Sequence, residues 1–442
     1  MGEVVIANRV GHVGGDGGRG RVAVTRVLIA LAPGRALAQS AGADDSLHVI
    51  VGPGARTLEP IAIPDVVCTS ASQSACGTVT SVLRRDMLLS FFFDVLTPRS
   101  YLVDPASEPV AAPSWKDWVN TGARYLIKAE VVGPAPYKLT FRLYNVTGQE
   151  AIPAASKSFS GVSERGLRKK THQFCNAVLG AVTGTPGVFD TRMAFTSKVG
   201  PGVKSISVVG MDGHGRGGLV SNGSINMLPS WGFGALIYTS FRHGKPDIFF
   251  GKKRLSKDAG HYRKAAVSPN GANIVVSISY GGQSDLYLMG KDGKVIRNLT
   301  NSPSDEVSPT FSPDGSRVAF VSSAAGGPQI YVMSVGGGGV SRLTHAGKYN
   351  YAPDWGPNGL IAFAGLDEGS SDIFTVTEGG QIARLTQDQG SNKDPSWSPD
   401  GRYIAFVSQR SAGSGIYLMS ADGRYQMMIS KGGGAGNIAW QR

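Results

Sequence analysis

Ser308–Gly315 reads SPTFSPDG, and four other stretches align with it: PSWGFG ending at Gly234, KAAVSPNG at Gly271, APDWGPNG at Gly359 and DPSWSPDG at Gly401. A sixth fragment, NIAW, ends at Trp440. The matching positions are Trp231, Val267, Phe311, Trp355, Trp397 and Trp440, spaced by 36, 44, 44, 42 and 43 residues. A period of about 40–45 residues with four strands per unit is the signature of a propeller blade. Around Gly315 the unit reads as strands Pro309–Ser312, Val318–Ser322, Gln329–Met333 and Ser341–Thr344. Proline and Asp-Gly fill the first turn because proline presets φ and glycine accepts positive φ. A single four-stranded unit would leave its faces wet, so the blades must stack in a ring.

Working outward from the repeat gives the closure. Trp440 supplies an inner strand followed only by Gln441 and Arg442, whereas Met193–Thr196, Ser205–Met211 and Leu219–Ser221 are three strands without an inner one. Joined, they complete a sixth blade and remove exposed sheet edges. Residues near Trp440 are therefore expected beside those near Phe195.

Residues 44–185 carry no blade motif. His48–Val51 reads as a short strand, and Ser81–Leu96 as an amphipathic helix through Leu83, Met87, Leu88, Phe91, Phe92 and Val95. A short helix Trp115–Asn120 starts after Ser114 as N-cap. Strands Tyr125–Val132 and Tyr137–Val146 flank a Gly-Pro-Ala-Pro turn, and Ser163–Val182 is a second long helix. The fold class is thus α+β multidomain: an α/β two-layer domain over 47–187, then an all-β six-bladed propeller over 188–442 closed by the C-terminal strand. Residues 1–38 read as a leader, with basic residues, the apolar stretch Val27–Ala32 and a cleavage site at Ala36-Leu37-Ala38. The exported chain would begin with a flexible segment, 39–46.

Composition narrows the function. Hydrophobic residues make up 41% and charged residues 17%, which excludes disorder and coiled coil. No run reaches the ~20 apolar residues of a membrane-spanning helix. The formal charge is +12 and favours acidic partners, but no Lys/Arg-rich run reads as a nucleic-acid footprint. Cys68 and Cys76, eight positions apart, admit either a small disulfide loop in an oxidising compartment or two free thiols; Cys175 reads as a buried thiol. None of the seven histidines sits at metal-ligand spacing, and nucleophile-elbow, P-loop and dinucleotide-binding patterns are missing. No catalytic residue, metal or cofactor is therefore expected. Asp247, Asp285 and Asp372 recur at the start of third strands, which points to a structural turn role. Two other readings stay open: a glycan- or peptidoglycan-binding propeller, and an accessory domain of a propeller-type lyase or peptidase.

The combination of an exported chain, a small α/β domain and a propeller with S-P-D-G turns resembles the TolB family, the periplasmic propellers of the Tol–Pal system. Gly187–Thr196 (GVFDTRMAFT), the four S/G-P-[DN]-G turns and Ser420–Tyr425 (SADGRY) carry the resemblance over about residues 45–440. It implies a non-catalytic adaptor in the periplasm that supports outer-membrane invagination in division and envelope integrity. The propeller's channel mouth would bind the lipoprotein Pal, and the mature N-terminus would bind TolA. Contact would extend to other outer-membrane proteins, so that membranes are reached only through partners. His261 is carried over from the family pattern as a Pal contact. Tyr262, Arg263, Asp305, Glu306, Tyr349, Asn350, Tyr351, Asn392 and Lys393 join it on the same rim; the aromatic residues and arginine are typical interface anchors. Gln39, Ser40, Ala41, Gly42, Ala43 and Asp44 form the expected TolA segment.

Overall fold

In the stretch around Gly315, Ser312 Oγ donates to Asp314 Oδ1 (2.5 Å) and accepts from the Arg317 amide (3.0 Å). Gly315 turns the chain at φ +73°. The same triangle forms at Ser398, Asp400 and Tyr403, with 2.6 and 3.0 Å bonds, and at Ser268, Asn270 and Asn273, with 2.7 and 2.9 Å bonds. Each turn reverses an inner strand into a second strand whose side chains are almost all buried. Val318–Ser322 and Ile404–Ser408 are examples.

The computed structural model describes residues 50–51 and 57–442, apart from 103, 105–107, 233, 257, 368, 411–412 and 433. The leader, the TolA segment and His48 and Val49 lie outside the described residues. Six antiparallel sheets form the propeller. Numbered by inner strand, they start at Asn226–Gly232 (blade one), His261–Val267 (two), Glu306–Phe311 (three), Tyr349–Trp355 (four), Ser391–Trp397 (five) and Ala435–Trp440 (six). Blade six takes its other strands from Arg192–Gly200, Val203–Gly210 and Gly217–Val220, as the ring-closure reading expected. Trp440 pairs with Met193 and Gly436 with Thr196. Trp440 is buried, and its Nε1 donates to Thr191 Oγ1 (2.8 Å).

The N-terminal α/β region is a sheet in the order Phe93–Val95, Glu59–Ala62, Tyr125–Val132, Tyr137–Asn145, Glu150–Ala151, with Val67–Cys68 and Lys157–Val162 added at its sides. Helices α1 (Gln73–Leu89), α2 (Trp115–Asn120) and α3 (Leu167–Thr183) cover it. Helix α1 corrects the expected Ser81–Leu96. The chain leaves the helix at Phe91, whose φ is +49°, and Phe93–Val95 becomes a strand parallel to Glu59–Ala62. Three consecutive phenylalanines suit a buried strand as well as a helix, so periodicity alone cannot place the break. Cys68 and Cys76 are joined in a disulfide, and Cys175 is a buried free thiol.

One strand belongs elsewhere than its sequence neighbours suggested. Ile50–Val51 pairs antiparallel with Gln426 and Tyr425, adding a fifth strand outside blade five rather than joining the α/β sheet. Deeper contact follows. Phe91 lies 6.0 Å from the Tyr403 ring and 5.9 Å from the Tyr425 ring, and Tyr403 Oη donates to Ser90 O (3.2 Å). Apolar side chains of α1, α3 and blades five and six thereby form one continuous core. This docking uses the turns that join first to second and third to fourth strands. On the opposite face of the propeller, where fourth strands return to the next inner strand, no element of the α/β region packs among the described residues.

Candidate functional site

The open face is assembled from the first residues of the inner strands, and the repeat gives every blade the same plan. Counted back from the aromatic position, the fifth residue is Asn226, Tyr262, Glu306, Asn350 and Asn392 in blades one to five. All five are buried. Asn350 Nδ2 donates to Gln329 Oε1 of the preceding blade and to Ala346 O, both at 2.8 Å. Asn392 Nδ2 donates to Asp372 Oδ1 (3.2 Å), while its Oδ1 accepts from Ser408 Oγ (2.7 Å). Glu306 Oε1 accepts from Ser302 Oγ and Ser322 Oγ, both at 2.9 Å. Burial raises the Glu306 pKa against those hydrogen bonds. In blade two, Tyr262 Oη donates to Asp258 Oδ2 (3.0 Å), which also accepts from Tyr280 Oη (2.7 Å). Those bonds hold the Asp258 carboxyl below its ordinary value despite partial burial, and Tyr280 is pushed up to about 12 by burial and by Asp258.

Each buried group is thus a blade-to-blade or loop latch. This corrects four of the expected contacts: Tyr262, Glu306, Asn350 and Asn392 point inward and hold the rim instead of lining it. Strand alternation sends their neighbours outward. His261, Arg263, Asp305 and Tyr349 are exposed, and Tyr351 and Lys393 are half-buried. Asp305 Oδ1 also accepts from the Ser284 amide (2.8 Å), and Tyr351 Oη bonds to Ser371 Oγ (2.8 Å). The recurring acids of the third strands complete the frame. Asp247 accepts from Ser256 Oγ (2.7 Å), Asp285 from Thr300 Oγ1 (2.8 Å) and Asp372 from Thr386 Oγ1 (2.6 Å). Gln329 takes the same place in blade three, accepting from Thr344 Oγ1 (2.7 Å).

Below the rim, all six inner strands change register against their second strands between the fifth-back and first-back positions. The third-back residues Leu228, Ser308, Ala352, Asp394 and Asn437 have φ between 50° and 57°. Pro229, Pro309, Pro353 and Pro395 follow four of them, where the bulge leaves no ladder bond for an amide to make. Sequence reading missed this ring of bulges, although the prolines already stood in the aligned stretches. Lys264, the third-back residue of blade two, lies in the channel near Asp354 and Asp394, and burial lowers its pKa against their attraction. Asp354 is already engaged by Arg442 Nη2 (2.6 Å) and the Trp397 amide (2.7 Å). Toward the docked face the inner strands and their first turns enclose a cavity of about 400 Å³. Among the described residues no group of three His, Cys, Asp or Glu side chains is placed to hold a metal ion.

The chain matches two family models, the TolB beta propeller domain over residues 179–362 and 350–440 and the TolB amino-terminal domain over 47–152. A Tol-Pal system protein TolB from Anaeromyxobacter dehalogenans is 37% identical over 65% of this chain and 68% of its own length. One from Desulfosudis oleivorans is 36% identical over 55% and 58%. The crystal structure of TolB from Acinetobacter baumannii superposes with a TM-score of 0.74 at 22% identity, covering 89% of this chain and 99% of the other. At that identity the likeness concerns the fold.

Proposed function

This chain belongs to the TolB family of the Tol–Pal system, and from that membership we propose that it is a non-catalytic periplasmic adaptor whose open rim binds the lipoprotein Pal. The observation that carries the reading is the alternation at the inner-strand starts. Exposed His261, Arg263, Asp305 and Tyr349 stand beside buried latches, so contact groups are presented on a frame that does not have to reorganise on binding. Less ordering on association means more of the interaction appears as affinity. The Cys68–Cys76 disulfide supports an oxidising compartment, and no described helix is long and apolar enough to cross a membrane. The segment Gln39–Asp44 is the proposed TolA contact, and the work divides between 47–187 and 188–442. Linking two envelope proteins in this way would let the outer membrane follow constriction during division.

Calorimetry of the chain from Gln39 onward with Pal of the same organism tests the proposal. Saturable heat at micromolar concentration is expected, and folded protein giving none would overturn it. His261→Ala should weaken the interaction by about 1 kcal/mol or more. Unchanged affinity would move the contact off this rim.

A further inference from the structure

Stacking the blades at the fifth-back position singles out blade three. Asn226, Asn350 and Asn392 stand there in blades one, four and five. Each amide nitrogen donates to the preceding blade: to Lys204 O (3.1 Å), Gln329 Oε1 (2.8 Å) and Asp372 Oδ1 (3.2 Å). In blades one and five the amide oxygen accepts from a second-strand serine, Ser240 or Ser408, both at 2.7 Å. Blade three has Glu306 instead, and half of its carboxyl follows the same plan. Oε1 accepts from Ser322 Oγ of its own second strand and from Ser302 Oγ, both at 2.9 Å. Oε2, the counterpart of the amide nitrogen, is shut off from water and has no hydrogen-bond partner.

The repeat sets another acid against it. Asp285 begins the third strand of blade two, as Asp372 does in blade four, and accepts from Thr300 Oγ1 (2.8 Å) and the Ser302 amide (3.2 Å). An amide donates to such an acceptor; an ionised glutamate cannot, and a protonated one can. Nothing else around Glu306 supplies the missing donor or a positive charge. Ser277 Oγ reaches only its backbone carbonyl from blade two's second strand (2.9 Å), and Asp305 precedes it on its own strand. Among the described residues no Lys, Arg or His pairs with Glu306, Asp285 or Asp305. Burial first, and the Asp285 charge with it, favour the neutral carboxyl against the hydroxyl bonds. Ser302 ties this carboxyl to the rim. It bonds both acids, and its Oγ accepts from the Ser304 amide (3.0 Å). The same return loop ends in exposed Asp305, whose amide donates to Ser323 Oγ (2.9 Å).

We infer that Glu306 is a proton-operated latch of the rim. Protonated, it closes blade three onto Asp285 as the asparagines close their blades, and it keeps the loop 301–305 in place. Ionised, it releases that loop and weakens binding at the channel mouth. The inference rests on the rim reading above and adds its regulation. A buried charge beside a like charge costs free energy, which opening the loop to water relieves. Because folding raises the Glu306 pKa, the latch is fully closed below the unfolded value of about 4.3 and is lost as pH rises through the folded value.

The test compares wild type with E306Q and with E306N, which installs the amide used by three sister blades. Either amide should keep the latch closed at every pH. Urea unfolding and calorimetric titration with Pal are run on the chain from Gln39 onward between pH 4.5 and pH 8. His261 and Pal titrate in the same window, so the readout is the ratio of variant to wild-type affinity at each pH. That ratio is expected to rise about fivefold or more toward pH 8, while wild type loses stability relative to the amide variants. Parallel unfolding profiles would overturn the inference, because Glu306 would then exchange no proton in this range. Diverging profiles with a constant affinity ratio would also overturn it, by uncoupling the latch from the rim. Stabilisation of wild type but not of the variants by millimolar calcium at pH 8 would assign a cation to the two acids and overturn the proton. Wild type giving no heat with Pal at any pH overturns the rim reading, and the coupling with it.

Discussion

The two faces of the propeller stand at opposite ends of the same strands, and they spend their polar groups differently. At the docked face, turns of blades five and six are sealed against α1 and α3 by Phe91, Tyr403 and Tyr425, with a charged cluster enclosed at the seam. There Asp212 meets Arg168, and its carbonyl accepts from Arg85 Nε (3.0 Å). His172 bridges Asp212 (3.7 Å) and Asp86 (2.7 Å). At the rim, buried polar groups lock one blade to the next or a loop to its own blade, and the neighbouring His261, Arg263, Asp305 and Tyr349 face water. A closed interface and an open one can therefore be told apart by where the polar side chains find their partners.

Removing the seal should have the largest effect. Trp440→Ala empties a buried site at the ring closure, and a loss of about 3–5 kcal/mol in unfolding free energy is expected from denaturant titration. A loss below about 1 kcal/mol would mean that the closure does not depend on this packing. At the rim, Asn392→Ala leaves Asp372 and Ser408 without their buried partner and should cost about 1–3 kcal/mol. Tyr349→Ala, one repeat earlier and exposed, should stay within about 0.5 kcal/mol. Equal effects at the two positions would erase the division into latches and contact groups.

The smallest effect concerns the seam. Burial pulls the His172 pKa down, but the hydrogen bond and charge of Asp86, backed by Asp212, outweigh burial and the opposing charge of Arg168 and hold it above its ordinary value. A raised histidine stabilises the fold in full below its unfolded pKa of about 6.5, and that share is lost as pH rises through the folded value. Melting temperature should therefore fall more steeply above about pH 6.5 in wild type than in His172→Gln. Parallel profiles would show that the seam does not carry the proton.

The rim was half legible. The repeat brought His261, Asp305 and Tyr349 to one face, and period-two alternation was already present in HYR at 261–263 and YNY at 349–351. Taking whole triplets as contacts hid it. The buried member of each triplet could have been found by stacking the blades, because Asn226, Glu306, Asn350 and Asn392 share one repeat position and are all polar. The helix ending at Leu89 and the strand at Phe93 were less accessible, since nothing local separates them.

Blade number, strand order and ring closure were determined by sequence alone. Turn chemistry and periodicity are written within a few neighbouring residues, and a fixed period leaves little choice of how units stack. Burial was another matter. Asn350 is inside because Gln329, 21 positions earlier, arrives from the adjacent blade, and Ile50–Val51 belongs to blade five because its ladder partners there, Gln426 and Tyr425, stand at the far end of the sequence. Which side of a strand meets water depends on what packs against it. Only the assembled chain supplies that neighbour.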